Sequence, residues 1–214
     1  MPELYQQLLQ RNRAWVAQKL GENRHYFDRL LSGQSPQIFW IGCADSRVPE
    51  NHIVGAQLGE IFVHRNIANV VVHSDANLLS VLDYAVNVLA VRHIIICGHY
   101  GCGGVYAAMK RQSVGFLDNW LRHIQDVYDR YQLDLNDIID EESRWRRLVE
   151  LNVIEQTHSV ALTSIVQRTW HQQKKLAVHG WIFDLRTGLI NDSGCHFDGL
   201  GQVRPAYRMN FSAE

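Results

Sequence analysis

Ile38-Phe39-Trp40-Ile41-Gly42-Cys43-Ala44-Asp45-Ser46-Arg47 begins as a hydrophobic run of strand length and breaks at Gly42. It then presents a thiol, a carboxylate and a guanidinium on alternate residues. A strand that ends in glycine and then in reactive groups is a common way for an α/β protein to set chemistry at the carboxyl edge of its sheet. A second stretch is built to meet it. Arg92-His93-Ile94-Ile95-Ile96-Cys97-Gly98 is another apolar, β-branched run broken by glycine, and His99-Tyr100-Gly101-Cys102-Gly103-Gly104 follows. If the two strands are parallel neighbours, Cys43, His99 and Cys102 meet at one end of the sheet. Two thiolates and an imidazole make a zinc set, and three protein ligands leave a fourth position open for chemistry.

Strands and helices alternate outward from this pair. Glu60 to Arg65 reads as a second strand, Asn77 to Val91 as a helix, and the glycines after His99 lead into a helix near Val105 to Arg111. Asn119 to Tyr131 and Glu141 to Trp170 have helical spacing, the latter in more than one segment. Leu176 to Phe183 is a further strand. Thr187-Gly188 then turns the chain into a short antiparallel return at Leu189-Ile190. The order predicts a mainly parallel central sheet flanked by helices, an α/β fold.

Residues 1–35 precede the first strand and carry Leu8, Trp15, Leu20, Phe27 and Leu30 at roughly helical spacing, divided by Gly21 and Asn23. They form an N-terminal helical arm rather than a crossover, and a partner subunit is one candidate for what they pack on. Residues 36–214 form the core of one domain.

The chain has 214 residues, 21 basic and 22 acidic, and a formal net charge of -1. No nucleic-acid-binding face is expected from scattered basic residues near neutrality. No apolar run is long enough to span a bilayer, and the N-terminus has no apolar signal core, so the expected location is cytoplasmic. Four cysteines do not make a disulfide scaffold at this length; beside histidine and glycine in a reducing compartment they are metal ligands or catalytic groups. Cys97 lies within an apolar strand and reads as a packed thiol. Cys195 falls in a late loop with no partner pattern.

Two other readings of Cys43 fit less well. A phosphatase-type phosphate loop needs a longer cradle between cysteine and arginine than Ala44-Asp45-Ser46. A Cys–His nucleophilic pair leaves Cys102 without a role. A closed structural zinc with Asp45 as fourth ligand stays open at this point, as does a plain ion pair for Asp45 and Arg47.

At these residues the chain resembles the β-class carbonic anhydrases of bacterial type. The matching blocks are Trp40 to Val48, His64-Arg65-Asn66-Ile67-Ala68-Asn69 and Gly98 to Gly104, with Leu117-Asp118-Asn119-Trp120 and His179-Gly180-Trp181 further on. The resemblance implies one zinc per chain on Cys43, His99 and Cys102. Asp45 and Arg47 match the family's carboxylate–guanidinium dyad. Gln34 matches a glutamine that reaches the substrate pocket across a dimer interface, and the N–H of Gly103 matches an oxygen-binding donor. The implied reaction is reversible hydration of carbon dioxide to bicarbonate and a proton by zinc-bound hydroxide, in a homodimer or homotetramer. Some relatives act on carbon disulfide or carbonyl sulfide instead.

Two thiolates cancel the formal charge of zinc, so the bound water should be less acidic than the value of about 7 for a three-histidine site. Some relatives with the dyad also have a closed state in which the aspartate takes the fourth zinc position. The resemblance thus implies an allosteric, pH-dependent Asp45 gate, with Asp45 as fourth ligand when closed. A bicarbonate pocket in such relatives is lined by a tryptophan, an arginine and a tyrosine. Trp40 and Arg65 match the first two, while Phe183 stands where the tyrosine is expected and lacks its hydroxyl.

Overall fold

The computed structural model describes residues 2–211. The chain divides after Gln34 into two compact units. The first contains α1 (Pro2–Glu22) and α2 (Asp28–Leu31). Trp15 meets Tyr26 and Phe27 edge-on, with ring centroids 6.2 and 5.6 Å away, so α1 and the turn before α2 share an aromatic cluster. Trp15 and Phe27 therefore have neighbours within the arm. Leu4, Tyr5, Leu8, Leu9 and Leu20 of α1 are exposed.

The second unit runs β1 (Ile38–Cys43), α3 (Glu50–Ile53), β2 (Ile61–Asn66), α4 (Ala76–Asp83), β3 (His93–His99) and α5 (Gly103–Lys110). It continues through α6 (Leu117–Arg130), α7 (Gln132–Asp137), α8 (Glu141–Ala161), α9 (Ser164–His171), β4 (Ala177–Asp184) and β5 (Leu189–Phe197). Its sheet has the order β2-β1-β3-β4-β5. The first four strands are parallel and β5 runs antiparallel to β4. The two quoted runs are the adjacent central strands β1 and β3, with Gly42 opposite Cys97.

Alternate residues of these strands face opposite sides of the sheet. Phe39, Ile41, Ile94, Ile96 and Val178 pack with Leu78, Leu82, Val166 and Trp170 of the helices. Trp40, Ile95, Cys97 and Phe183 share the other face. Both faces of β1 and β3 are thus apolar, which is why the two runs read as nearly continuous hydrophobic stretches. Asp75, Asp140 and Thr163 cap α4, α8 and α9 by accepting backbone N–H bonds.

Several boundaries differ from the sequence expectation. The helix predicted to reach Val91 ends as α at Asp83 and closes with a π turn over Tyr84–Val88. Ala90 then takes a left-handed φ of 52°, and Val91 is buried in the core behind it. The return strand is not short: β5 has nine residues. Its register against β4 shifts between His179 and Trp181. A Cβ on Gly180 would stand 2.7 Å from Ser193 Oγ, so the glycine makes room for the irregularity. Cys195 lies in this strand, half-buried, and not in a loop. Among the described residues no helix is long and apolar enough to cross a membrane.

Candidate metal centre

β1 ends at Cys43, β3 ends at His99, and Cys102 sits just before the first turn of α5. The parallel pairing brings all three to the carboxyl edge. Their ligand atoms lie within 4.8 Å of one another, and all three residues are buried. The two sulfurs are 4.0 Å apart. Tetrahedral zinc with bonds of about 2.3 Å would set two sulfurs on the order of 3.8 Å apart.

His99 Nδ1 lies 3.0 Å from the Tyr100 carbonyl, an acceptor that fixes the proton on Nδ1 and leaves a lone pair on Nε2. That Nε2 is fully buried and has no hydrogen-bond partner. A buried polar atom without a partner is costly, and a metal ion is the natural partner for this one. The thiols point the same way. The Cys43 thiol is pulled well down, first by its contact with Cys102 and then by His99 and the backbone at Asp45 and Ala68. Cys102 is pushed up by the Cys43 thiolate and by burial. The pair gives up one proton readily and holds the second, and a dication compensates the charge of losing both. The donor set fits zinc.

Asp45 and Arg47 stand beside the cluster. Asp45 Oδ1 accepts from the Arg47 backbone N–H and Nε, both at 2.9 Å. Oδ2 accepts from Arg47 Nη2 at 2.7 Å and lies 3.7 Å from His99 Nε2, beyond hydrogen-bond range. Arg47 holds the carboxyl far below its ordinary value. Oδ1 is doubly engaged, so Oδ2 keeps a lone pair for an incoming donor. Gly103 opens α5, where backbone N–H groups have no partner within the helix. A Cβ added there would meet nothing within 4 Å.

Gln34 is exposed at the end of the first unit. Trp40 and Phe183 are buried together on the far sheet face. Arg65 donates to its own chain: Nε to the Cys43 carbonyl at 2.9 Å, and Nη2 to those of Asp45 at 2.6 Å and Val48 at 3.1 Å. Its Nη1 is 3.8 Å from Glu50. Arg65 thus fastens the 43–48 segment that carries Cys43, Asp45 and Arg47. Cys97 is inert, fully buried and pushed up to about 12 by desolvation.

Two indoles support the site from the helices. The Trp145 indole donates to the Cys102 carbonyl at 3.1 Å, and the Trp120 indole to that of Ile67 at 2.8 Å. Trp120 belongs to the matching block Leu117 to Trp120, whereas nothing in the local spacing marks Trp145, which reaches the site from a helix distant in sequence.

The carbonic anhydrase family model matches residues 38–190. A carbonic anhydrase of Emericella nidulans is 46% identical over 210 residues, covering 98% of this chain and 92% of that protein. One from Candida albicans is 35% identical, covering 87% and 66%. Among solved structures, a tetrameric β-carbonic anhydrase of Sordaria macrospora superposes with a TM-score of 0.87 at 39% identity, covering 91% of this chain and 99% of that one. A Coccomyxa β-carbonic anhydrase in complex with acetazolamide gives 0.86 at 34% identity, covering 91% and 88%. Matches this extensive, over a sheet that gathers two cysteines and a histidine at one edge, place the chain in the β-class carbonic anhydrases.

Proposed function

We propose that the chain hydrates carbon dioxide reversibly to bicarbonate and a proton, using about one zinc per chain held by Cys43, His99 and Cys102. The observation that carries this is the convergence of three buried ligand atoms beside a carboxylate held by arginine. Zinc held there would supply Lewis acidity, lowering the pKa of a water so that a nucleophile exists near neutral pH.

The protein groups orient the reactants. Arg47 keeps Asp45 ionised with a two-point grip. Asp45 Oδ2 accepts a hydrogen bond from the attacking oxygen and so turns its free lone pair toward the substrate carbon. The Gly103 N–H is positioned at a helix N-terminus to take a substrate oxygen as negative charge develops on it. The hydrophobic neighbours of Cys43 and Cys102, among them Val70, Val105 and Ile182, suit an apolar substrate better than a charged one.

The pH gate belongs to the same proposal. In the open state Asp45 stays on Arg47, the pairing described above. A homodimer or homotetramer, with Gln34 supplied by the partner, and a cytoplasmic location complete the reading. Stopped-flow hydration of carbon dioxide across pH, on protein of known zinc content, tests it. Carbon disulfide and carbonyl sulfide serve as competing substrates. Absence of hydration by zinc-loaded protein across the whole range would overturn the assignment.

A further inference from the structure

The segment after β2 joins the walls of the metal centre. Ala68 and Asn69 both take left-handed φ angles, 62° and 48°, although neither is glycine. Both are buried. Consecutive left-handed residues with side chains are costly and persist only where their surroundings hold them.

Three amide side chains do the holding. Asn66 is bonded to Val70 twice: its Nδ2 donates to the carbonyl at 2.7 Å and its Oδ1 accepts the N–H at 2.9 Å. From α8, Asn152 Nδ2 donates to the Ala68 carbonyl at 3.0 Å. Gln156 Nε2 donates to Asn152 Oδ1 at 2.9 Å, and its Oε1 accepts the Val71 N–H at 2.8 Å. Asn152 and Gln156 are 1% and 4% exposed, a buried and mutually bonded pair.

The segment so held touches the backbone at each ligand. Ala68 packs with Cys43 in one buried cluster, and the Ala44 N–H beside Cys43 donates to the Asn66 carbonyl at 2.8 Å. A Cβ on Gly104, two residues past Cys102, would stand 2.9 Å from Ile67 and 3.4 Å from Ala68. A Cβ on Gly98, next to His99, would stand 3.3 Å from Asn69 Oδ1. The loop is therefore a common wall behind all three ligands, and its shape is set from α8.

We propose that Asn152 is a positioning residue of the metal centre: through the Ala68 carbonyl it holds the left-handed loop that packs behind Cys43, His99 and Cys102. A loop fixed in this shape keeps the three donors converged on one point. Loosening it would spread the donor set and speed loss of a bound metal. Asn152 touches neither metal nor substrate and acts only through the loop. This inference rests on the metal assignment above.

The test uses Asn152→Asp, which keeps the acceptor for Gln156 and removes the donor to Ala68. Thr157→Val is the control. It removes a buried bond of the same helix, Thr157 Oγ1 to the Val153 carbonyl, with no link to the loop. Each protein is loaded with cobalt(II), and the sulfur-to-cobalt charge-transfer band is recorded. Zinc loss to a chelator is timed separately. Wild type lacking the band would refute the metal assignment itself. Given the band, Asn152→Asp should shift it and release zinc faster, by about 10- to 100-fold, while Thr157→Val matches wild type in both. An unshifted band and unchanged release in folded Asn152→Asp would overturn the positioning role, as would equal effects in Thr157→Val. If Asn152→Asp does not fold, half-buried Asn66→Asp decides. It keeps the Val70 N–H bond and frees the Val70 carbonyl, so a shifted band supports the loop's role and an unshifted one overturns it.

Discussion

Arg47 grips Asp45 at two points, Nε on Oδ1 at 2.9 Å and Nη2 on Oδ2 at 2.7 Å. The planar fork of arginine matches a carboxylate, whereas lysine offers a single point charge. Arg47→Ala should lower kcat/KM for hydration by about 10²-fold or more, and Arg47→Lys should recover only part of it. Full activity in Arg47→Lys, measured by stopped flow, would show that charge alone suffices.

The same pair fixes the acid side of the pH profile. Its folded-state pKa is depressed, chiefly by Arg47. The stabilisation from Asp45 is therefore complete above the ordinary carboxylate value of about 4 and is lost only as pH falls through the depressed one. No carboxylate ionisation should appear in the rate profile above about pH 5. The alkaline rise expected of the gate should still appear; a rate flat from about pH 6 to pH 9 would dismiss the gate.

Removal of one ligand tests the metal set directly. Cys102→Ala leaves Cys43 and His99 in place but deletes the sulfur that begins α5. Metal analysis should find most of the zinc gone, and the variant should unfold at lower temperature than wild type because bound metal stabilises only the folded chain. Full zinc occupancy in Cys102→Ala would sink the assignment.

Bicarbonate should inhibit weakly. Phe183 is 7% exposed and has no hydroxyl, and Arg65 spends Nε and Nη2 on carbonyls of its own chain. A hydrogen bond to a charged group is worth roughly 1.5–3 kcal/mol. Phe183→Tyr should therefore tighten bicarbonate inhibition by about 10- to 150-fold at fixed pH and ionic strength. Equal inhibition in the two proteins would mean that the missing hydroxyl is irrelevant.

Gly98 lets α8 pack tightly on the sheet. An added Cβ would come within 2.5 Å of Val153 Cγ2. Gly98→Ala should destabilise the fold by about 1–3 kcal/mol, read from chemical denaturation. A variant as stable as wild type would show that Val153 rotates away without penalty.

The central strands and the meeting of Cys43, His99 and Cys102 were legible because their signals are local: continuous apolar runs, glycine breaks, and Cys and His at strand ends. What was missed depends on the assembled fold. No glycine announces the left-handed backbone at Ala68 and Asn69, since buried amides from α8 impose it. Arg65 read as an anion-binding residue, and only the parallel pairing of β1 with β2 reveals its carbonyl partners on the 43–48 segment. The π turn at Tyr84–Val88 keeps a helical pattern of apolar residues, so its early end was invisible.

Cys43 and Cys102 are 59 residues apart in sequence, yet meet because β1 and β3 are neighbours with β2 and α4 strung between them. Such a contact forms only after a long, entropically costly loop closes, and pairings of this kind are slow to form. Metal capture therefore reports a particular moment in refolding. In a dilution experiment with cobalt(II) present, the colour of the two-sulfur site should grow in only once the central parallel pair has zipped, well after the helical signal of α6 and α8. The active centre doubles as a built-in stopwatch for the closure of that loop.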